Sequence, residues 1–450
     1  MPFFILEEHM RKNETYTAEC VDYTIEGAGV VKLGDFVVFV PGLILHETAE
    51  IALTKVKPNY AYGRIVRLIQ PSPHRIEPSC PVNRLCGGCQ LMHMDREAQS
   101  DFKMRKVQSC FRANAGMEVE PLPIITAEPF DHYRNKVQIP VQVNEGRVEM
   151  GFYQKHTNRI IPFEQCQMES ALSNEIVAAV KRLLEKHRCA KDVRHLLIKH
   201  AHASGQVMIV LIVRNRLKAE HEIADALCEQ FAQVVSVQEL INRRTDNVIL
   251  DGETVLLKGK PYIEEVLLDH TFRISARSFY QINPYTTPLL YTKAIEAAQL
   301  SGREILVDLY CGTGTMGIIA AERAKKVFGI EIVPDAIRDA RINAEINHVE
   351  NIEFMTADAG QGANRILRSK LRVDAMIVDP PRRGCSPDTL AAIEKIAPSR
   401  LVYVSCDPAT LARDVKLLTD GGYRMQYVQP VDMFPGTFHV ETVALLTRTN

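Results

Sequence analysis

The chain has almost no net charge: 54 lysines and arginines stand against 55 aspartates and glutamates, a formal balance of -1. Attachment to a polyanion by bulk charge is thereby excluded, and any nucleic-acid site must be a local basic patch. Long hydrophobic runs are missing as well. The most apolar stretch, Phe36–Leu45, falls well short of the ~20 residues that span a bilayer. Cysteine is scarce, with eleven in 450 residues, too few for a disulfide scaffold. There is no internal repeat, low-complexity tract or long charge run. Met1–Leu6 runs into Glu7 and Glu8 with no basic flank or cleavage signal, so a soluble cytoplasmic protein with reduced thiols is expected. What is there is globular: 46% hydrophobic and 24% charged residues, enough for more than one core. The length suggests about three domains.

Five short alternating runs come first: Tyr16–Tyr23, Gly29–Leu33, Phe36–Val40, Glu50–Val56 and Tyr60–Leu68. Punctuated by Gly27, Gly34, Gly42 and Pro58, they predict a small closed barrel of the oligonucleotide-binding kind. Pro71, Pro73 and Pro78 form a linker into a cluster of cysteines, Cys80, Cys86 and Cys89. Further on, Val137–Val143 and Val148–Tyr153 read as a hairpin leading towards Cys166. Glu175–Lys186 has helical spacing, and Gln206–Val213 reads as a buried strand. In the last third, apolar runs (Ile305–Leu309, Val327–Ile332, Ala375–Val378, Leu401–Val404, Thr442–Leu446) alternate with helices such as Pro334–Ile346 and Ala409–Leu418. That rhythm predicts an α/β fold, a mostly parallel sheet covered by helices on both faces.

Ile305–Leu309 runs into Tyr310-Cys311-Gly312-Thr313-Gly314-Thr315-Met316-Gly317. Three glycines at this spacing allow a tight strand-to-helix turn with a ligand close against the backbone, although a purely structural turn would read the same. The second strand ends in Glu331, placed to accept hydrogen bonds from both hydroxyls of a ribose. NAD and S-adenosylmethionine fit this pair equally. The fourth strand decides between them. It ends in Asp379-Pro380-Pro381-Arg382-Arg383-Gly384, a rigid polar lip that dinucleotide dehydrogenases lack, and so points to the methyl donor.

Leu401–Ser405 delivers Cys406 to the carboxyl end of a strand, where open α/β sheets place their chemistry. The following helix, with Arg382 or Arg383 nearby, is expected to favour the thiolate, whereas a lone cysteine elsewhere is usually structural. Glu441 opens an apolar strand, so desolvation is expected to raise its pKa towards that of a general base. The two residues suit one reaction. A pyrimidine C5 attacks a methyl sulfonium only after a thiolate has added to C6, and a base must then remove the C5 proton to release the thiol.

Read in order, these motifs resemble the S-adenosylmethionine-dependent RNA uracil-C5 methyltransferases over nearly the whole chain. The likeness is nearest to the bacterial 23S ribosomal RNA branch, with its N-terminal TRAM barrel and iron–sulfur cluster. It is carried by Cys80-x5-Cys86-Gly87-Gly88-Cys89, Phe279-Tyr280-Gln281-Ile282-Asn283, Asp308–Gly314, Asp379-Pro380-Pro381-Arg382, Ser405-Cys406-Asp407-Pro408 and His439-Val440-Glu441. The resemblance implies a Rossmann-like catalytic domain (271–450), an N-terminal OB-like barrel (10–70) and a mixed α+β central domain (71–270), with 95–124 packed on the catalytic domain. It makes Cys406 the nucleophile and Glu441 the base. It carries over Gln281, Tyr310, Glu331, Asp358 and Asp379 as contacts to S-adenosylmethionine. Two positions depart from the family habit: Asp407 where asparagine is frequent, and Gly436 where histidine is.

Three local cysteines and the remote Cys166 supply four thiolates, a pattern common for cubane iron–sulfur clusters, with zinc as the alternative. The resemblance favours a 4Fe-4S cluster. For RNA, the barrel, the basic helix with Lys103, Arg105, Lys106 and Arg112 around Phe102 and Phe111, and the Arg382-Arg383 lip are together expected to track a folded single strand whose target base leaves its stack, with Arg243 and Arg244 as further basic residues. The expected partner is RNA, with no membrane and no obligate protein partner. A transfer-RNA uracil methyltransferase, a non-catalytic iron–sulfur RNA-binding protein and a small-molecule methyltransferase are the rival readings.

Overall fold

Alternation of inward apolar and outward polar residues closes the first five strands on themselves. In the computed structural model, which describes residues 10–449, β1 (Thr15–Tyr23), β2 (Ala28–Leu33), β3 (Phe36–Pro41), β4 (Thr48–Val56) and β5 (Tyr60–Gln70) form a closed barrel in the order β1-β2-β3-β5-β4. Val31, Val38, Val40, Ile51, Leu53 and Ala61 fill it. Met1–Leu6, Glu7 and Glu8, on which the reading of the N-terminus rests, lie outside the described residues. Among those residues no helix is long and apolar enough to cross a membrane.

The chain divides into two compact units, Met1–Lys106 with Phe434–His439, and Val107–Met433 with Val440–Asn450. Helix α1 (Arg96–Ala115) begins in the first and ends in the second. In the first unit, Ala98 and Phe102 pack with Leu91, Met94, Ile44 and Tyr23.

The second unit holds two large sheets. One runs β12-β11-β10-β9-β6-β7-β8, from β6 (Lys136–Asn144), β7 (Arg147–Tyr153), β8 (Ile160–Pro162), β9 (Val193–His200), β10 (Val207–Val213), β11 (Val234–Ile241) and β12 (Glu253–Gly259). Helices α2 (Ala171–Lys186) and α3 (Glu220–Gln230) cover it through Ile176, Val180, Leu184, Ile223 and Leu227. A hairpin, β13 (Tyr262–Leu267) and β14 (His270–Ser275), follows.

The other sheet carries β15 (Ile305–Leu309), β16 (Lys326–Glu331), β17 (Ile352–Thr356), β18 (Ala375–Val378), β19 (Arg400–Ser405), β20 (Tyr423–Val431) and β21 (Glu441–Arg448). Their order is β17-β16-β15-β18-β19-β21-β20, and β21 alone runs antiparallel to its neighbours β19 and β20. Intervening helices are α4 (Thr287–Ala298), α5 (Thr315–Ala321), α6 (Pro334–Ile346), α7 (Ala359–Arg368), α8 (Pro387–Ile396) and α9 (Pro408–Asp420). Val107, Phe111 and Ala115 of α1 join this sheet's core. Strand order reverses on either side of β15, so a crevice opens at the carboxyl ends of β15 and β18.

Candidate active site

Strand register gathers most of the expected site residues along one edge. Tyr310 follows β15, Glu331 ends β16, Asp358 lies two residues past β17, Asp379 follows β18 and Cys406 follows β19. Because β21 runs the other way, its first residue arrives at the same edge. The last β19–β21 pair is Ser405↔Thr442, so one further step of the ladder sets Cys406 opposite Glu441.

Burial sets the charge state of this edge. Glu441 is 5% exposed. Desolvation, helped by Asp379 and opposed by Arg382, raises its pKa to about 8, the direction expected. Desolvation likewise lifts Asp379 to about 7. For Cys406 the expectation of a favoured thiolate is not met. Desolvation, then Glu441 and Asp379, push the thiol up to about 12, and the opposing pull of Arg382 is too small to offset them. The resting group is a protonated thiol.

The turn after β15 fits a bound cofactor. Tyr310, Gly312 and Gly314 all take left-handed φ values, and a β-carbon on Gly314 would meet the Phe354 ring at 2.8 Å. At Gly312 nothing lies within 4 Å of the corresponding point, leaving the backbone open to a ligand. Glu331 braces this turn: its carboxylate accepts from Gly312 N–H (3.2 Å) and Val333 N–H (2.9 Å). Each oxygen keeps a lone pair for a diol, beside the exposed Ile332 and Val333, an apolar seat suited to a purine. Asp358 caps α7 through Gly360 N–H at 3.0 Å. Asp407, a departure in the sequence, caps α9 through Ala409 and Thr410 N–H. Gly436 takes φ +77°, and its N–H donates to Gln99 Oε1, so a side chain there would be strained.

Sequence reasoning missed the residues that hold this edge in place. Lys199 on β9, buried, donates to the carbonyls of Ser275 and Ser278, both at 2.7 Å. Desolvation, with Lys136 adding to it, brings its pKa down to about 7. Asn135 donates to the carbonyl of Gln281 at 2.9 Å, fixing the backbone of that expected cofactor contact, whose side chain is buried. Behind the Arg382-Arg383 lip, Asp414 accepts from Tyr403 Oη (2.6 Å), Cys385 N–H (2.8 Å) and Arg413 Nε (2.8 Å). Arg413 in turn donates to Arg383 O at 2.9 Å. A lysine inside an apolar strand was the one visible signal. The rest depends on contacts remote in sequence.

Two of the basic residues expected to track RNA, Lys103 and Lys106, are engaged within the fold. Lys103 is 0% exposed and donates to Phe434 O, while Lys106 donates to Phe438 O and lies over its ring. Arg105 pairs with Asp101, and Arg112 with Glu118. Phe102 and Phe111 are core residues. Arg244 is engaged by Asp246 and Asp251. The two lysines satisfy backbone acceptors, whereas Arg105, Arg112 and Arg244 stay exposed in surface ion pairs.

The cysteine loop winds through turns, with Cys86 Sγ accepting from Gly88 N–H at 3.4 Å and Cys89 O from Asn83 Nδ2 at 3.1 Å. Cys166 is held by Asn174, which accepts from its N–H and donates to its carbonyl. An all-thiol donor set suits an iron–sulfur group. Among the described residues, however, no three His, Cys, Asp or Glu side chains are gathered as a metal site.

The sheet order and its crevice define a class, the S-adenosylmethionine-dependent methyltransferase fold. Comparison narrows it. Residues 95–449 match the family described as tRNA (Uracil-5-)-methyltransferase, and residues 11–66 match the TRAM domain. The chain belongs to that RNA (uracil-5-)methyltransferase family. It is 39% identical over 447 residues to an uncharacterized RNA methyltransferase of Clostridium tetani (97% of each chain). It is 40% identical over 449 residues to one from Oceanobacillus iheyensis, again 97% of each. In structure it is similar to the Pyrococcus abyssi tRNA (uracil-54, C5)-methyltransferase in complex with S-adenosyl-L-homocysteine. That likeness has a TM-score of 0.75 and 27% identity, and covers 96% of this chain and 99% of the other.

Proposed function

We propose that this enzyme methylates C5 of a uridine in 23S ribosomal RNA, with Cys406 as nucleophile and Glu441 as the base. The observation that carries the reading is the meeting of a thiol and a buried carboxyl with raised pKa at adjoining strand ends, beside a glycine turn open to a ligand. Cys406 Sγ adds to C6, and a neighbouring carboxylate must take its proton as that bond forms. C5 then carries the electron density of an enolate. S-adenosylmethionine, when bound, supplies the methyl group. Glu441, ionised for this step, removes the C5 proton while the C6–S bond breaks, which restores the C5–C6 double bond; the departing thiolate takes back the proton held by the neighbouring carboxyl, and the resting thiol is regained. Gln281, Tyr310, Glu331, Asp358 and Asp379 would hold the cofactor.

Transfer RNA is the second reading, favoured by the archaeal neighbour. Its coverage of 96% of this chain leaves too few residues over to omit the barrel, so the barrel alone does not separate the two substrates. The cysteines bear on the choice. We assign Cys80, Cys86, Cys89 and Cys166 to a 4Fe-4S cluster on the chemistry of four thiols. Iron and sulfide in anaerobically purified protein, lost on substitution of these residues, would support this. Stoichiometric zinc would overturn it.

Labelled S-adenosylmethionine, offered with unmodified large-subunit ribosomal RNA and separately with unmodified transfer RNA, tests the reaction and the substrate together. Label in 5-methyluridine of ribosomal RNA, absent with Cys406→Ala, is the expected result. Label in transfer RNA alone overturns the substrate, and label in neither overturns the reading.

A further inference from the structure

The loop that delivers Glu441 to its strand is held by α1. Phe434–His439 lies between β20 and β21, has no regular secondary structure, and belongs to the first compact unit, although both strands belong to the second. Gln99, Lys103 and Lys106 recur at i, i+4 and i+7, so they share one face of α1, and all three reach this loop. Gln99 Oε1 accepts from Gly436 N–H at 2.8 Å. Lys103 Nζ donates to Phe434 O at 3.0 Å, and Lys106 Nζ to Phe438 O at 2.9 Å. The carbonyl of Gly436 accepts from Leu91 N–H at 2.9 Å, in the segment before the helix.

Burial makes this grip firm. Gln99 and Lys103 are buried and Lys106 is half-buried. A buried ammonium is costly unless it meets acceptors, so lifting the loop away would take an acceptor from Lys103 inside the fold. Phe434 O also accepts from Thr437 N–H (3.2 Å) and Thr437 Oγ1 (2.9 Å), and the turn closes on the same oxygen that Lys103 holds. Upstream, Asn283 donates to Met433 O at 3.2 Å. Downstream, strand pairing resumes at Glu441, opposite Val431. Glu441 thus enters β21 three residues past the carbonyl that Lys106 holds, and a shift of the loop is carried into its carboxyl. Proton abstraction needs the base within hydrogen-bond reach of the C5 hydrogen, so this step feels such a shift first.

We propose that Lys103, together with Lys106 and Gln99, is a positioning residue for the base: through the Phe434–His439 loop it aims Glu441 at the C5 proton. The inference rests on the proposed role of Glu441. It separates the steps of the reaction, because thiol addition and methyl transfer precede the proton's removal and do not depend on the loop.

The probe is unmodified large-subunit ribosomal RNA transcribed with uridine tritiated at C5, replaced by transfer RNA if wild type methylates only that. In a single turnover of the full-length protein, labelled S-adenosylmethionine reports methyl transfer and tritium in water reports proton removal. Lys103→Met keeps the apolar stem and loses the donor. It should transfer the methyl group at the wild-type rate and release tritium on the order of a hundredfold more slowly, with RNA joined covalently to protein in the interval. Lys106→Met should show a smaller slowing of the same step, and Lys106→Arg, which keeps a donor, should restore it. Methyl transfer and tritium release slowed in equal proportion is the mark of a merely structural role and overturns the proposal, as does wild-type release in the lysine variants. Where Lys103→Met fails to fold, Lys106→Met decides by the same criteria. Tritium release by Glu441→Gln at the wild-type rate overturns the base itself and the inference with it. Release blocked in Glu441→Gln but unaltered in both lysine variants overturns the inference alone.

Discussion

Replacing Glu441 by glutamine should stabilise the protein in alkali while stopping the reaction, and the two effects have one cause. Glu441 is buried, and desolvation reinforced by Asp379 holds its carboxyl at about 8 against an ordinary 4.5. Over that interval the folded chain keeps a proton that the unfolded chain releases. Folding stability therefore falls as pH rises from about 4.5 to about 8, and the whole loss is present above that. At about 1.4 kcal/mol for each tenfold change in proton affinity, the loss is on the order of 5 kcal/mol, shared with Asp379 because the two carboxyls repel. Glutamine has the same shape and nothing to ionise. Denaturant midpoints at pH 5 and pH 9 should show Glu441→Gln on the order of a few kcal/mol more stable than wild type at pH 9 and close to it at pH 5. In the assay the variant should add its thiol and transfer the methyl group but fail to remove the C5 proton, leaving protein covalently joined to methylated RNA. The burial argument would be refuted if the two proteins differed equally at both pH values, or if wild type were the more stable at pH 9. Free release of 5-methyluridine by the variant would refute the assignment of the base.

Gly314→Val forces a left-handed φ of +79° on a branched side chain and drives its β-carbon into the Phe354 ring. Calorimetric titration should show loss of S-adenosylmethionine binding, and unaltered affinity would remove the turn from the cofactor site. Asp414→Asn leaves a poorer acceptor for Tyr403 Oη, Cys385 N–H and Arg413. A loss of about 1–3 kcal/mol in unfolding free energy is expected, with slower methyl transfer as the Arg382-Arg383 lip loosens. Lys199→Met takes a donor from the buried carbonyl of Ser278 and from the half-buried carbonyl of Ser275, which keeps the Ser278 hydroxyl. It should cost about 2–4 kcal/mol and raise the KM for S-adenosylmethionine through the displaced Gln281 segment; a KM equal to that of wild type would confine Lys199 to stability.

What could be read from sequence depended on whether the signal was local. The five barrel strands announce themselves because apolar residues recur at the inward positions of short runs broken by glycine and proline, although β3 and β5 also carry apolar residues outward. The glycine turn, the Asp379 lip and Cys406 are legible for a related reason: α/β sheets place chemistry at strand ends, and a strand end is a local event. The basic helix misled because a lysine on a helix reads the same whether it meets water or a carbonyl far along the chain. Lys103 bonds to Phe434 O and Lys106 to Phe438 O, more than three hundred residues away. The thiol misled because its pKa is set first by burial and then by Glu441 and Asp379, which approach it only through sheet register, and the pull of Arg382 does not offset them.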